Sequence, residues 1–123
     1  MTAAFNIAIS LPNNKIVKGK IYRSWTPFNY EKITNSLPLK TRVYYIGRDL
    51  IYLPFNIKFK PEKYIEKISK GQILIIHYLN SLSISLAPQR IYRYKATLVG
   101  EITEGLENLK FLKKGDIVTI KGE

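Results

Sequence analysis

The chain has no cysteine and only one histidine, one methionine and one tryptophan in 123 residues. Without cysteine there is no disulfide, no thiol nucleophile and no thiolate metal ligand. With His77 as the sole imidazole, neither a protein-held transition metal nor any cofactor is expected. Acids are scarce: nine Asp+Glu stand against 20 Lys+Arg, a net charge of +11. That imbalance favours an anionic partner, whether nucleic acid, an acidic protein or anionic lipid, over a cationic one. The cations are fifteen lysines and five arginines. Because specific phosphate and base contacts lean on the planar arginine fork, an unspecific lysine-rich surface is an equal reading of the charge. No apolar run approaches the roughly 18 residues of a membrane span. Met1–Leu11 lacks the basic start and apolar core of a signal peptide, so the expected setting is cytoplasmic and no membrane partner is expected. There is also no Gly-rich phosphate loop, no Gly-x-Ser-x-Gly elbow and no His-Glu-x-x-His helix.

What is present reads as one domain, residues 1–123, of predominantly β character. Phe5, Ile7, Ile9 and Leu11 alternate with small or polar residues, the period of a half-buried strand. Pro12-Asn13-Asn14 turns it, and Ile16–Tyr22 returns as a hairpin partner containing Gly19. Thr26-Pro27 predicts a helix over 27–36 with Thr26 as N-cap, stopped by Pro38, with Phe28, Ile33 and Leu37 on its apolar side. Arg42–Ile46 reads as a strand, Gly47-Arg48-Asp49 as a turn, and Leu50–Phe59 as extended chain bent at Pro54. Glu62–Ser69 is expected to be irregular or briefly helical. Gln72–Leu79, the most apolar segment, predicts a central strand buried on both faces, which would place His77 on the face of Ile73, Ile75 and Leu79. Serine-rich Asn80–Pro88 is expected to be a loop. Arg90–Lys95 alternates as a strand would, with Arg90, Tyr92 and Tyr94 on one face.

The C-terminal third carries the densest pattern. Ala96–Val99 runs into Gly100, the mark of a bulge or a close backbone approach. Glu104-Gly105 is a turn signal. Leu106, Leu109 and Leu112 recur at helical spacing, predicting a helical turn over 106–113. Gly115-Asp116 ends it and Ile117–Ile120 forms a last strand.

The segment from Gly100 to Leu109, with Lys110–Lys114, Gly115-Asp116 and the last strand behind it, resembles the closing segment of cyclophilin-fold barrels. It is most similar to a small prokaryotic cyclophilin-like family of uncharacterised function. Leu37-Pro38-Leu39 matches that family's apolar-Pro-apolar helix exit, and Ile46–Tyr52 resembles its Gly-acidic strand start; the blocks keep order and spacing from Phe5 to Lys121. Ile46 stands where the family has Trp, Arg48 where it has an acid, and Lys67–Gly71 replaces its Tyr-Trp-Pro segment. The resemblance implies an α+β, mostly β protein. Its fold would be a closed cyclophilin-like barrel with one short helix in the N-terminal third and a helical turn before the last strand. The strand around Gly100 would pair with the N-terminal hairpin and shut the sheet.

The same resemblance raises prolyl isomerisation, which active cyclophilins support with an Arg on a Phe-His-Arg-like strand and a Phe-Met-x-Gln-like strand. Arg42–Ile46 has no such triplet and Leu53–Asn56 no such Gln. Arg42, Arg48 or Arg90 could substitute only by convergence, so the expected function is non-enzymatic binding. A small molecule or peptide would lie in a barrel groove at Tyr45, Arg48, Tyr52, His77, Tyr78 and Arg90. The alternative is a nucleic-acid binder using Arg90, Tyr92, Arg93, Tyr94 and Lys95, tyrosines stacking on bases while cations meet phosphates. Isomerase is a second alternative. Each candidate also has a plain structural reading: a lone histidine on an apolar strand is usually a hydrogen-bonded core residue. The acids Glu101, Glu104 and Glu107 read as a solvated turn rather than a cation site.

Overall fold

The computed structural model describes residues 3–123. Eleven strands carry it: β1 (Ala4–Ser10), β2 (Ile16–Tyr22), β3 (Leu39–Arg42), β4 (Tyr44–Ile46), β5 (Leu50–Pro54), β6 (Lys67–Ile68), β7 (Gln72–Ile76), β8 (Ser81–Ser85), β9 (Gln89–Arg90), β10 (Ala96–Glu104) and β11 (Ile117–Gly122). One α-helix, α1 (Tyr30–Asn35), and three short 3-10 turns complete it. Nine strands form one antiparallel sheet in the order β3-β11-β1-β2-β10-β7-β8-β5-β4, and β6 pairs with β9 in a separate ribbon.

The strand order explains the shape. β3 and β4 lie at opposite ends of the list yet are adjacent in sequence, separated only by Val43. The sheet must therefore curl until its ends meet, which gives a nearly closed barrel. Val43 splices the seam: its N–H donates to the Asp116 carbonyl at 2.9 Å and its carbonyl accepts from Gly115 at 2.7 Å. The Thr41 hydroxyl donates to the Pro54 carbonyl across the remaining gap, 2.8 Å. Curling leaves few unpaired edge groups, a useful property in an Ile-rich chain.

The expected pairing of the Gly100 strand with the hairpin is present, with Gly100 opposite Ile21. It is a mid-wall contact, however, since β10 also pairs with β7 on its other side. Closure falls to the bent run 39–46, expected as a single strand from Arg42. A side chain at Gly100 would place its Cβ 2.0 Å from the Lys20 carbonyl oxygen, which is why glycine stands there.

Inward residues alternate with outward ones along the strands. Ile7, Ile9, Val17, Ile21, Ile51, Leu53, Ile73, Ile75, Leu82, Ile84, Val99, Val118 and Ile120 fill the interior. Each such side chain contributes roughly 1.5–3 kcal/mol by leaving water. α1 sends Tyr30 and Ile33 into this cluster at the end of the barrel where β2 finishes, and Leu109 and Leu112 enter at the end where β2 begins.

Several expectations need correction. The helix is shorter than 27–36: residues 27–29 are turn, and Phe28 is exposed while Tyr30 and Ile33 are buried. Thr26 is not its N-cap, because its hydroxyl bonds to Glu62, as does the Asn29 amide. Extended chain after β4 stops at Pro54 instead of Phe59. Of the two readings of 62–69 the irregular one holds and the helical one does not: the chain is mostly without regular structure, Ile65 bridges Ala96 and Lys67–Ile68 pair with β9. The central strand ends at Ile76, where His77–Leu79 form a 3-10 turn. The turn before β11 is also 3-10, over Leu106–Phe111. The largest miss is Asn80–Pro88, which holds β8, buried along its whole length between β5 and β7. A serine-rich stretch has the composition of a loop, but Ser81, Ser83 and Ser85 lie under a covering layer. Arg90–Lys95 is a strand only to Arg90 and then bends.

Candidate functional site

The barrel wall formed by β4, β5, β7, β8 and β10 is apolar on its outer face too. Leu50, Leu74, Ile76 and Ala96 face outward there and are covered by Ile68 and Ile91, with Ile46, Ile65, Leu79, Tyr94 and Leu98 packed around them. The cover is the chain 63–68 and its partner 89–91, held by the β6–β9 pairing and by the Ile91 N–H donating to the Glu66 carbonyl, 2.9 Å. Small serines of β8 sit beneath it. Ser81 Oγ donates to the Leu79 carbonyl and Ser85 Oγ to the Ala87 carbonyl. Among the described residues, Ser83 has the one buried side-chain polar atom with no partner.

The cover does not fill this second apolar layer. Beside β9 a cleft of about 320 Å³ remains, floored by Ile46, Leu50 and Ile91 and rimmed by Gln89, Arg90, Tyr92, Arg93 and Tyr94. The local chain explains the rim. Ile91 is buried and anchors the loop, so the following residues bend outward and Tyr92 and Arg93 are exposed. The Gln89 side-chain amide donates to the Asp49 carbonyl at 3.0 Å, tying the loop to the Gly47–Asp49 turn. Gly47 also lines the cleft, and its φ of +63° is the conformation that turn demands. No carboxylate lines the cleft, so the two guanidiniums set its charge.

Of the nucleic-acid set, Arg90, Tyr92, Arg93 and Tyr94 come together here; Lys95 does not line the cleft but lies over the Tyr64 ring, 5.7 Å from its centroid. The groove set divides. Arg90 is on the rim, and Tyr78 reaches it through Tyr94, ring centroids 6.4 Å apart. Tyr52 shares the outward face of β5 with Leu50 and stacks on Tyr44 at 5.4 Å, and exposed Arg48 sits in the adjoining turn. Tyr45 points the other way. It packs on the inner cluster and its hydroxyl donates to the Leu112 carbonyl at 2.5 Å; burial raises its pKa above the usual 10.0.

His77 is also apart from the cleft. Its Nε2 lies 2.8 Å from the Thr97 hydroxyl, and the Tyr64 ring meets it edge-on at 5.4 Å. Burial pushes the imidazole below its ordinary 6.5; the Glu62 carboxylate opposes that shift and the Lys95 ammonium adds to it. Glu62 is itself engaged with Thr26, Asn29 and the Phe28 N–H, so it does not orient His77 as a triad acid would. Among the described residues no three His, Asp or Glu side chains gather as a metal site, and no helix is long and apolar enough to cross a membrane.

The sequence did not single out the cleft floor, Ile46, Leu50 and Ile91, nor Trp25, which together with Lys63 lines a second hollow on the same wall. The only signal for the floor was period-two alternation on strands whose inner face was already assigned. The fold is similar to the solution structure of a hypothetical protein from Archaeoglobus fulgidus. The match has TM-score 0.81 at 17% identity and covers 100% of this chain and 98% of that one. No protein-family model and no curated protein matches the sequence.

Proposed function

We propose that this protein is a non-enzymatic binding module built on a cyclophilin-like barrel, and that its ligand is an anion carrying a flat ring, the chemistry of a nucleotide. One observation carries the reading: Arg90, Arg93, Tyr92 and Tyr94 rim an apolar-floored cleft that no carboxylate lines. Tyrosine faces and an apolar floor suit a base, and guanidinium forks suit its phosphate. Arg48, Tyr52 and Tyr78 extend the site along the same wall, whereas Tyr45 and His77 serve the fold. The cleft lies on the outside of the wall, so the ligand would be held without being enclosed, and millimolar affinity for a single nucleotide is in keeping with that.

The test is an NMR titration with adenosine 5′-monophosphate and with adenosine. Resonances of Tyr92, Tyr94 and Gly47 should move, the monophosphate should bind more tightly than the nucleoside, and Tyr94→Ala should weaken both roughly tenfold, as loss of one stacked base does. Unmoved cleft resonances at millimolar monophosphate would sink the proposal.

A further inference from the structure

Three hollows open onto the outer apolar cluster. The first is the Arg90–Tyr94 cleft. The second, about 250 Å³, is lined by Ser24, Trp25, Lys63, Ile65 and Leu98. The third, about 310 Å³, follows the β6–β9 ribbon with Lys67 and Arg90 on its sides. Ile65 and Leu98 of the second pack against the same cluster that floors the first, so the two lie on one wall with the covering chain between them. All three carry cations and none is lined by a carboxylate. Hollows elsewhere differ: the one holding Lys70 and Lys110 includes Glu107, and the one beside Lys15 includes Asp116. The linings of these three hollows are thus cationic, while the exposed Glu66 of the covering chain is the acid that a ligand crossing between them must skirt. The second hollow also has an aromatic platform. Trp25 is 37% exposed, and its ring centroid is 4.3 Å from that of Tyr22.

We infer that the occupant of this wall is a single-stranded nucleic acid several nucleotides long. One base stacks in the Tyr92–Tyr94 cleft, the backbone crosses the covering chain past Arg90, Lys67 and Lys63, and a second base stacks on Trp25. The inference rests on the proposed nucleotide cleft and adds a second subsite and a path. Stacking platforms separated by cations are what a single strand needs, since its bases are free to splay while its phosphates run between them. A duplex keeps its bases paired and offers neither platform a ring. An acidic protein would meet the cations but leave Trp25 without a stacking partner.

Trp25 is the sole tryptophan, so its emission reports the second subsite alone. A ten-nucleotide oligothymidylate should quench it at low salt, with affinity falling steeply as salt rises. Thymidine monophosphate should shift the Tyr92 and Tyr94 resonances yet leave the emission unchanged. Trp25→Ala, followed by anisotropy of a labelled ten-mer, should weaken the oligomer roughly tenfold and spare the mononucleotide. If the ten-mer binds no more tightly than the mononucleotide and leaves the emission unmoved, the path is wrong while the first cleft stands. If neither ligand binds, both readings fall together. Equal affinity for a duplex or for polyglutamate would also overturn the inference, since charge alone would then account for binding.

Discussion

Replacing Gly100 by alanine should damage this barrel more than its single added methyl group suggests. The new Cβ would lie 2.0 Å from the Lys20 carbonyl oxygen, 3.0 Å from that carbonyl carbon and 3.1 Å from Ile21 Cα. All three are backbone atoms of β2, so no side chain can swing aside. Ordinary carbon contacts need about 3.5–4.0 Å, which asks β2 to retreat by on the order of 1 Å. Paired strands sit about 4.8 Å apart, and such a retreat breaks the local ladder. β10 cannot yield the other way, because Gly100 also lies opposite Ile73 of β7. The cost belongs at the top of the overpacking range, ~3 kcal/mol or more. Against a total stability of about 5–15 kcal/mol that is a large loss. With a urea slope of about 1–3 kcal/mol per molar, the unfolding midpoint should fall by more than about 1 M. Gly47→Ala is the control. Gly47 has φ +63° but nothing within 4 Å of a built Cβ, so only the left-handed penalty of about 1–2 kcal/mol applies. Urea unfolding followed by circular dichroism decides the matter. A Gly100→Ala midpoint equal to wild type, or a larger loss at Gly47, would refute the reasoning.

Two further outcomes follow from groups under the cover and at the barrel end. Burial holds His77 below its ordinary 6.5 in the folded state, so the unfolded chain binds the proton more readily. Stability contributed by the neutral imidazole is fully present above pH 6.5 and declines as pH falls below it; His77→Gln should flatten the thermal-unfolding profile below about pH 6.5, and an unchanged slope would count against the assignment. Ser83 keeps a buried hydroxyl with no partner among the described residues, so Ser83→Ala should be neutral or stabilise by up to ~1 kcal/mol in calorimetry, and a clear destabilisation would mean the hydroxyl has a partner after all.

Local patterns in the chain specified the parts whose two sides meet different surroundings. Phe5–Leu11 and Ile16–Tyr22 alternate because one side faces the barrel interior and the other does not, and they form the expected hairpin in full register. Gly100 and Gly105 marked a close backbone approach and a left-handed turn, and both are found where the sequence placed them. Tertiary structure decided the rest. β8 reads as a polar loop because every second residue is serine, and only the layer laid over it buries those hydroxyls. Arg90 to Tyr94 could be noticed as basic and aromatic, but alternation suggested a strand. The anchoring of Ile91 under Glu66 and of Gln89 against Asp49 bends the run into a rim instead. The cleft floor joins Ile46, Leu50 and Ile91 across more than forty positions of sequence. A contact of that kind depends on where the sheet curls, and the curl is fixed by Val43 splicing two distant edges. No short-range pattern carries that information.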